Sequence, residues 1–239
     1  MKHIRCVIFL SVLTLITTFS ACDFESEGIY VDDTSELAQL LDYYVDKYGN
    51  EGIVVYSHSS SSSEYQIVMS ADETYLPWGP MGEQVYDVDS VKNLNLSDEA
   101  YGVAMLQAMK SRGIERYPAQ AWCDRKNNGE KNPQGGSWHL PTYFELVIIF
   151  GYGGANVSKI NSAFQGIGGT PLTPDALYWS CTEDYEGYAK INNVMSDYSS
   201  QDRAIVSTPS RTTTSTKERW LKKYSHFVRA IKYIYYEDK

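Results

Sequence analysis

The chain has 239 residues, which is enough for one sizeable domain or two small ones. It carries 21 Lys and Arg residues against 30 Asp and Glu residues, which gives a formal net charge of −9 at pH 7. A protein of that charge repels nucleic acid and anionic membrane surfaces, so neither is an expected partner of the folded part.

Residues 1–21 are predicted to be a lipoprotein signal peptide. Lys2 and Arg5 form a basic start, residues 7–19 are uncharged and apolar, and small residues lead to Cys22. The cysteine at this junction resembles a bacterial lipobox, so Cys22 is expected to become the lipid-modified first residue of an outer-membrane lipoprotein. An ordinary signal peptide and an uncleaved anchor are the alternatives, although the apolar run is shorter than the about 20 residues that a bilayer needs.

Residues 22–33 are predicted to be an acidic tether between the lipid and the domain. Asp23, Glu25 and Glu27 look like the acidic residues that follow the lipidated cysteine of some surface-exported bacterial lipoproteins. Surface exposure is therefore a hypothesis, and the lipid at Cys22 is the expected contact with the membrane.

An amphipathic helix is predicted within residues 34–51. Its apolar residues recur at helical spacing from position 37 to position 48, and Gly49 follows them as a stop signal. One face of such a helix has to be covered, either by its own domain or by a partner protein.

A β-hairpin is predicted from two strands at 52–56 and 64–70, which are rich in Val, Ile and Tyr and are separated by a serine tract. Residues 76–80 then read as a rigid loop that contains Trp78. Three helices are predicted at 95–112, 118–123 and 156–165, because capping residues, Pro118 and Gly113 mark their ends.

A further helix is predicted over 144–150. Thr142 and Glu145 form a capping box, and Pro141 favours an extended residue before it. The apolar run that follows has to be buried. In the last third, residues 177–183, 187–195, 204–207 and 226–236 have strand composition. Helices in the middle and strands at both ends predict an α+β domain whose shared sheet brings the termini close together.

The segment 138–146, Trp-His-Leu-Pro-Thr-x-x-Glu-Leu, resembles the Trp-Arg-Leu-Pro-Thr-x-x-Glu-Leu signature of bacterial C-type-lectin-like domains of the "major paralogous domain" kind. These domains are distant relatives of the formylglycine-generating-enzyme fold. The hairpin near 52–70, the Tyr-Trp-Ser-Cys-Thr-Glu run at 178–183 and the Val-Arg-Ala-Ile run at 228–231 resemble further motifs of the family, in the same order.

The resemblance implies a C-type-lectin-like domain over 52–239, with a central twisted, mostly antiparallel sheet flanked by helices. The signature residues are expected to be structural, and they are Trp138, Pro141, Thr142, Glu145 and Trp179. His139 stands where the family has arginine, and Cys181 stands where it has serine.

Cys123 and Cys181 are predicted to form a disulfide bond, because two cysteines in an oxidising envelope most simply pair. The departure from serine at position 181 strengthens that hypothesis. Two free, buried thiols are the alternative that the sequence leaves open.

Neither catalytic residues nor metal ligands are predicted. The calcium-binding triplets of animal C-type lectins and the late cysteine pair of formylglycine-generating enzymes do not occur in the sequence. His58, His139 and His226 lack metal-ligand spacing, and the acidic run at 183–186 is more typical of a solvated loop than of a catalytic pair. We therefore expect a protein that is not an enzyme and has no cofactor, while a structural calcium ion stays open.

Ligand binding is predicted for loops near residues 184–220, because Tyr and Trp in loops provide large contact areas at low entropic cost. The candidates are Trp78, Asp184, Tyr185, Tyr188, Tyr198 and Trp220. Ser90, within Asp-Ser-Val, resembles a short O-glycosylation sequon of some Gram-negative bacteria, which is a weak signal.

The sequence predicts an envelope-anchored, non-enzymatic recognition lipoprotein that binds a glycan or a protein. A structural or adhesin subunit of a surface assembly is the first alternative. An enzyme built on the formylglycine-generating-enzyme-like scaffold is the second.

Overall fold

A computed structural model describes residues 29–30, 38–60, 64–85, 99–130, 136–151, 154–183, 203–209 and 218–236. The strands are β1 (Ile29–Tyr30), β2 (Tyr43–Val45), β3 (Glu51–Ser59), β4 (Glu64–Ser70), β5 (Thr74–Pro77), β6 (Tyr178–Glu183), β7 (Arg203–Ser207), β8 (Glu218–Leu221), β9 (Ser225–Val228) and β10 (Ile231–Tyr235). The helices are α1 (Glu99–Ser111), α2 (Pro118–Arg125), α3 (Tyr143–Phe150) and α4 (Val157–Gly166), with a 3-10 turn at Ile114–Arg116. The predicted signal peptide, Cys22 and most of the tether lie outside the described residues.

The fold is α+β, with two five-stranded sheets in place of the one central sheet that was predicted. The first sheet has the order β1-β2-β3-β4-β10, and the second has the order β5-β9-β6-β7-β8. Both are mostly antiparallel, and helices pack against both. Within the described ranges, no helix is long and apolar enough to cross a membrane.

The predicted hairpin is confirmed as β3 and β4, which pair antiparallel with a bulge after Val54. Both ends of the chain contribute to the first sheet, as predicted, but β1 and β10 are its opposite edges. Four strand spacings separate them, which is roughly 20 Å, so the prediction of adjacent termini is wrong for these strands.

The amphipathic helix predicted at 34–48 is not formed over residues 38–48. Tyr43–Val45 is instead strand β2, paired with β3, and Leu41 has a φ of 78°, which a right-handed helix excludes. The alternation of burial along β2 places Tyr44 in the core. The apolar spacing that suggests a helix is satisfied here by a turn followed by a short strand, and the segment packs on its own domain.

Two further strand predictions need correction. Residues 226–236 form two strands, β9 and β10, which belong to different sheets. The predicted loop at 76–80 begins inside strand β5. The predicted strands at 177–183 and 204–207 are confirmed as β6 and β7, whereas the one predicted at 187–195 lies outside the described residues.

The helix predictions hold where the structure describes them. Helices α1, α2 and α4 occupy the predicted segments, and α3 begins at Tyr143. The capping box is formed, because Thr142 Oγ1 accepts from the Glu145 amide while Glu145 Oε2 accepts from the Thr142 amide at 2.6 Å.

Among the described strands, the chain passes from one sheet to the other at two places. The side chain of Arg229 connects these two places. Residues 71–73 connect β4 to β5, and Arg229 and Ala230 connect β9 to β10. The buried guanidinium of Arg229 donates to the carbonyls of Ser70, Ala71 and Thr170 and to Glu73 Oε2 at 2.6–3.1 Å. A guanidinium is planar and permanently charged and carries five N–H donors, so it can bind several carbonyl groups that point towards one place.

The predicted disulfide bond is absent. Cys123 and Cys181 are free thiols, both fully buried in one hydrophobic cluster with Trp138 and Trp179. They pack as small apolar side chains, and burial raises the pKa of both thiols well above the usual range. The alternative that the sequence left open is the one that the structure shows.

Candidate functional site

The predicted ligand-binding residues fall into two groups. Asp184, Tyr185, Tyr188 and Tyr198 lie outside the described residues, as does Ser90. Trp78 and Trp220 are described, and both lie near the end of β6, because Trp78 donates to the Ser180 carbonyl and Trp220 pairs with Ala204, which pairs with Glu183. Val85 and Glu183 are the described residues that precede the segments 86–98 and 184–202.

Trp78 is a core residue, so its prediction as an exposed ligand contact is wrong. Its indole is 1% exposed, and Nε1 donates to the Ser180 carbonyl at 2.9 Å. The ring packs edge-on against Tyr117, and Lys222 Nζ lies 4.5 Å from the ring centre. A cation over a buried indole stabilises both groups, so Trp78 helps to hold the Lys222 ammonium in place.

Glu183 and Lys222 form a buried ion pair at the base of these segments. Lys222 Nζ lies 2.5 Å from Glu183 Oε1, and the two side chains are 0% and 1% exposed respectively. Lys222 also donates to the Glu83 carbonyl at 2.6 Å, and the Val85 amide donates to Glu183 Oε2 at 2.7 Å. Glu183 is the last residue of β6 and Val85 is the last described residue before α1, so one pair fixes the bases of both segments.

Trp220 is half-buried on β8, next to the same base. It pairs with Ala204 across the sheet and packs edge-on against His226, with ring centres 5.0 Å apart. On its other side His226 packs against Trp179 at 4.7 Å. Burial between two indoles lowers the pKa of His226 to about 4, so the imidazole is neutral at pH 7.

The signature segment serves packing, as predicted. Trp138 is 1% exposed, and its Nε1 donates to Asp46 at 2.8 Å, while Asn127 pairs with its backbone on both sides. Burial on its own would raise the pKa of Asp46, but hydrogen bonds from Trp138, Asn50 and Tyr48 outweigh it and hold that pKa below its usual range. Trp179 is fully buried as well.

His139 and Glu145 are buried together beside strand β10. His139 Nδ1 contacts the Ser137 carbonyl at 2.7 Å, its ring stacks on Tyr233, and its Nε2 lies 3.9 Å from Glu145 Oε1. The Tyr233 hydroxyl donates to the same carboxylate oxygen at 2.7 Å. Both side chains are about 1% exposed, so a substrate does not reach them in this conformation.

Within the described part of the chain, no three or more His, Cys, Asp or Glu side chains gather in a way that could hold a metal ion. The Glu183–Lys222 pair is the feature that sequence reasoning missed. The sequence predicts Glu183 as the end of a strand and the start of an acidic run, and it gives no signal for Lys222, because no local pattern connects residues 39 positions apart.

No protein-family model matches the chain, and no curated protein matches it. Its fold is similar to that of a fimbrial protein from Bacteroides ovatus known from a crystal structure, with a TM-score of 0.55 and 13% sequence identity. The match covers 82% of this chain and 49% of that chain, so this chain spans about half the length of the fimbrial protein. At this identity the likeness concerns the fold alone.

Proposed function

We propose that the protein is a non-enzymatic recognition lipoprotein of the bacterial cell envelope, anchored through Cys22, that binds a glycan or protein ligand with the segment 184–202. The observation that carries the proposal is the buried Glu183–Lys222 pair. It fixes Glu183, the residue before this segment, and Val85, the residue before segment 86–98, at the end of the central strand β6. Binding loops held by a rigid scaffold lose less entropy when they bind.

The composition of the segment supports ligand binding. The sequence places Asp184, Tyr185, Tyr188 and Tyr198 within it, and Trp220 lies half-buried beside its base. Tyrosine and tryptophan are enriched among the residues that dominate binding energy at interfaces. The C-type-lectin-like resemblance agrees with this arrangement, because related folds present variable loops on one face.

The test is an array of glycans and host proteins, probed with the chain from Asp23 onward. Any ligand found is then titrated against Tyr185→Ala/Tyr188→Ala. The matched control is Tyr75→Ala/Tyr235→Ala, because these two tyrosines are 57% and 42% exposed and lie on β5 and β10, outside the segment 184–202. We expect the first variant to weaken binding by about tenfold or more and the control to leave it within about twofold. Equal binding by all three proteins would contradict the proposal.

A subunit of a surface assembly is the second candidate, and the fimbrial protein of similar fold favours it. An assembly subunit would offer the segment 38–48 to a partner, but strand β2 within it pairs with β3 of its own domain, and this supports the recognition function instead. Cross-linking of intact native-host cells separates the two functions. An assembly subunit yields a ladder of regularly spaced masses, whereas a recognition lipoprotein yields a single chain or a discrete complex.

A further inference from the structure

A polar groove of about 280 Å³ lies where several chain turns meet, and it shares no residue with the Glu183–Lys222 base. It is lined by Gly49, Asn50, Glu51, Ala71, Asp72, Lys126, Gly168, Gly169 and Thr170. Ligand pockets usually span about 300–1,000 Å³, so this groove suits a ligand smaller than a typical drug.

Hydrogen bonds hold the residues that line the groove in place. Arg229 donates to the carbonyls of Ala71 and Thr170, and the Thr170 amide donates to the Ala71 carbonyl at 2.8 Å. Asn50 Nδ2 donates both to Asp46 and to the Lys126 carbonyl. Because hydrogen bonds fix several of the lining residues, the groove is pre-formed and little of it has to become ordered when a ligand binds.

Lys126 provides the positive group of the groove. Its Nζ lies 2.6 and 2.8 Å from the two oxygens of Asp72 and 4.6 Å from the centre of the Trp122 ring. The side chain is 10% exposed, whereas that of Asp72 is 59% exposed. An ammonium has three N–H donors, and the two contacts with Asp72 use at most two of them.

The charges and spacings narrow the class of ligand. Asp72 and the exposed Glu51 supply acceptors next to the Lys126 donor, and the whole chain has a net charge of −9, which disfavours anions. Adjacent hydroxyls of a pyranose are separated by about one hydrogen-bond length, as are Lys126 Nζ and the Asp72 oxygens. One hydroxyl can accept from the ammonium while its neighbour donates to the carboxylate.

We infer that this groove binds a single neutral sugar residue, with Lys126 and Asp72 sharing a vicinal pair of hydroxyls. The inference goes beyond the proposed recognition by the segment 184–202, because it assigns a second site formed by other residues. A small open site with few hydrogen bonds implies a dissociation constant of about 1 mM. The groove therefore binds either a glycan that presents many copies of the sugar or one residue of a longer glycan that other subsites also contact.

The experiment uses the full chain in a detergent without sugar head groups. Methyl glycosides of glucose, galactose, mannose and N-acetylglucosamine are tested by saturation-transfer NMR and titration, with glucose 6-phosphate as the anionic comparison. Lys126→Met removes the donor. Gly168→Asn fills the groove, and asparagine tolerates the φ of 71° at this position, where an added Cβ meets open space.

Each variant has a matched control. Lys47→Met removes another lysine that pairs with a carboxylate, Glu130, and lies over an aromatic ring, Tyr48, and none of these three residues lines the groove. Gly129→Asn alters another glycine with a positive φ and open space. We expect both groove variants to weaken binding of the preferred glycoside about tenfold and both controls to stay within about twofold.

Three results overturn the inference: no glycoside binds the wild-type chain, glucose 6-phosphate is preferred, or the groove variants bind like the wild type. If Tyr185→Ala/Tyr188→Ala loses glycoside binding while the groove variants keep it, the sugar site lies in the segment 184–202. In that case the proposed function stands and this inference falls. The reverse pattern would support the groove and count against the segment 184–202 as the sugar-binding site.

Discussion

Lys222 Nζ and Glu183 Oε1 lie 2.5 Å apart at the end of β6, the central strand of the second sheet, and both side chains are buried. With their backbone partners they join three parts of the chain, because Lys222 donates to the Glu83 carbonyl and Glu183 accepts from the Val85 amide. Removing one member of such a pair leaves an uncompensated buried charge, which typically costs about 3–5 kcal/mol.

Lys222→Met is therefore expected to lower the free energy of unfolding by about 3–5 kcal/mol, as measured by urea denaturation. The neighbouring Lys223 is exposed, so Lys223→Met is the control, and we expect it to change the free energy of unfolding by less than about 0.5 kcal/mol. The double variant Glu183→Met/Lys222→Met should recover part of the loss, because it buries no lone charge. A cost for Lys222→Met equal to that of the control would show that the pair does not hold the base of the segment.

Arg229 is predicted to be required for joining the two sheets. Lysine retains the charge but loses the planar fork, so Arg229→Lys leaves several of the Ser70, Ala71 and Thr170 carbonyls without their donor. We expect a loss of about 3 kcal/mol in the free energy of unfolding by urea denaturation. The control is Arg219→Lys on β8, which is half-buried and expected to cost less than about 0.5 kcal/mol. Equal losses would rule out a special role for Arg229.

Local signals in the sequence predict the structure well where the stabilising contacts are also local. The capping box of α3 needs only Thr142 and Glu145, which are three residues apart, and the β3–β4 hairpin needs only two adjacent strands. The segment 38–48 shows the opposite case. Its apolar spacing fits a helix, but pairing with β3 decides its conformation, and that pairing is a tertiary contact.

The candidate sites depend on contacts that no local pattern reports. Glu183 and Lys222 are 39 residues apart, and the groove combines turns that are far apart in the chain. Trp78 stands beside Pro and Gly, which predicts an exposed loop, yet Lys222 and Ser180 bury it. Composition indicates the residue types of a site, whereas its location follows from the order of the strands.

The thiols of Cys123 and Cys181 are predicted to be free and unreactive in the folded protein. Burial raises the pKa of each thiol, so the reactive thiolate is scarce at neutral pH. Alkylation without reductant, followed by peptide mass mapping, should modify neither cysteine in the native protein and both after denaturation. Recovery of a peptide in which Cys123 and Cys181 are cross-linked would restore the disulfide hypothesis.

His226 is expected to make the protein less stable as the pH falls. Burial between Trp179 and Trp220 lowers the pKa of His226 to about 4, from an ordinary value of 6.5. The unfolded chain therefore takes up a proton near pH 6.5, whereas the folded chain does so only near pH 4. The stability that this histidine contributes is complete above pH 6.5 and is lost between pH 6.5 and pH 4, by up to about 3 kcal/mol.

The test compares the free energy of unfolding of the wild type and His226→Phe in urea at pH 7 and pH 4.5. Carboxylates titrate in both proteins, so the difference between the two proteins isolates the histidine. We expect that difference to shift by about 2 kcal/mol in favour of the phenylalanine variant at the lower pH. His58→Phe is the control, because His58 is half-exposed and stacks on Tyr65 across the β3–β4 pair. A parallel pH dependence for the wild type and His226→Phe would show that the imidazole is not held neutral between the two indoles.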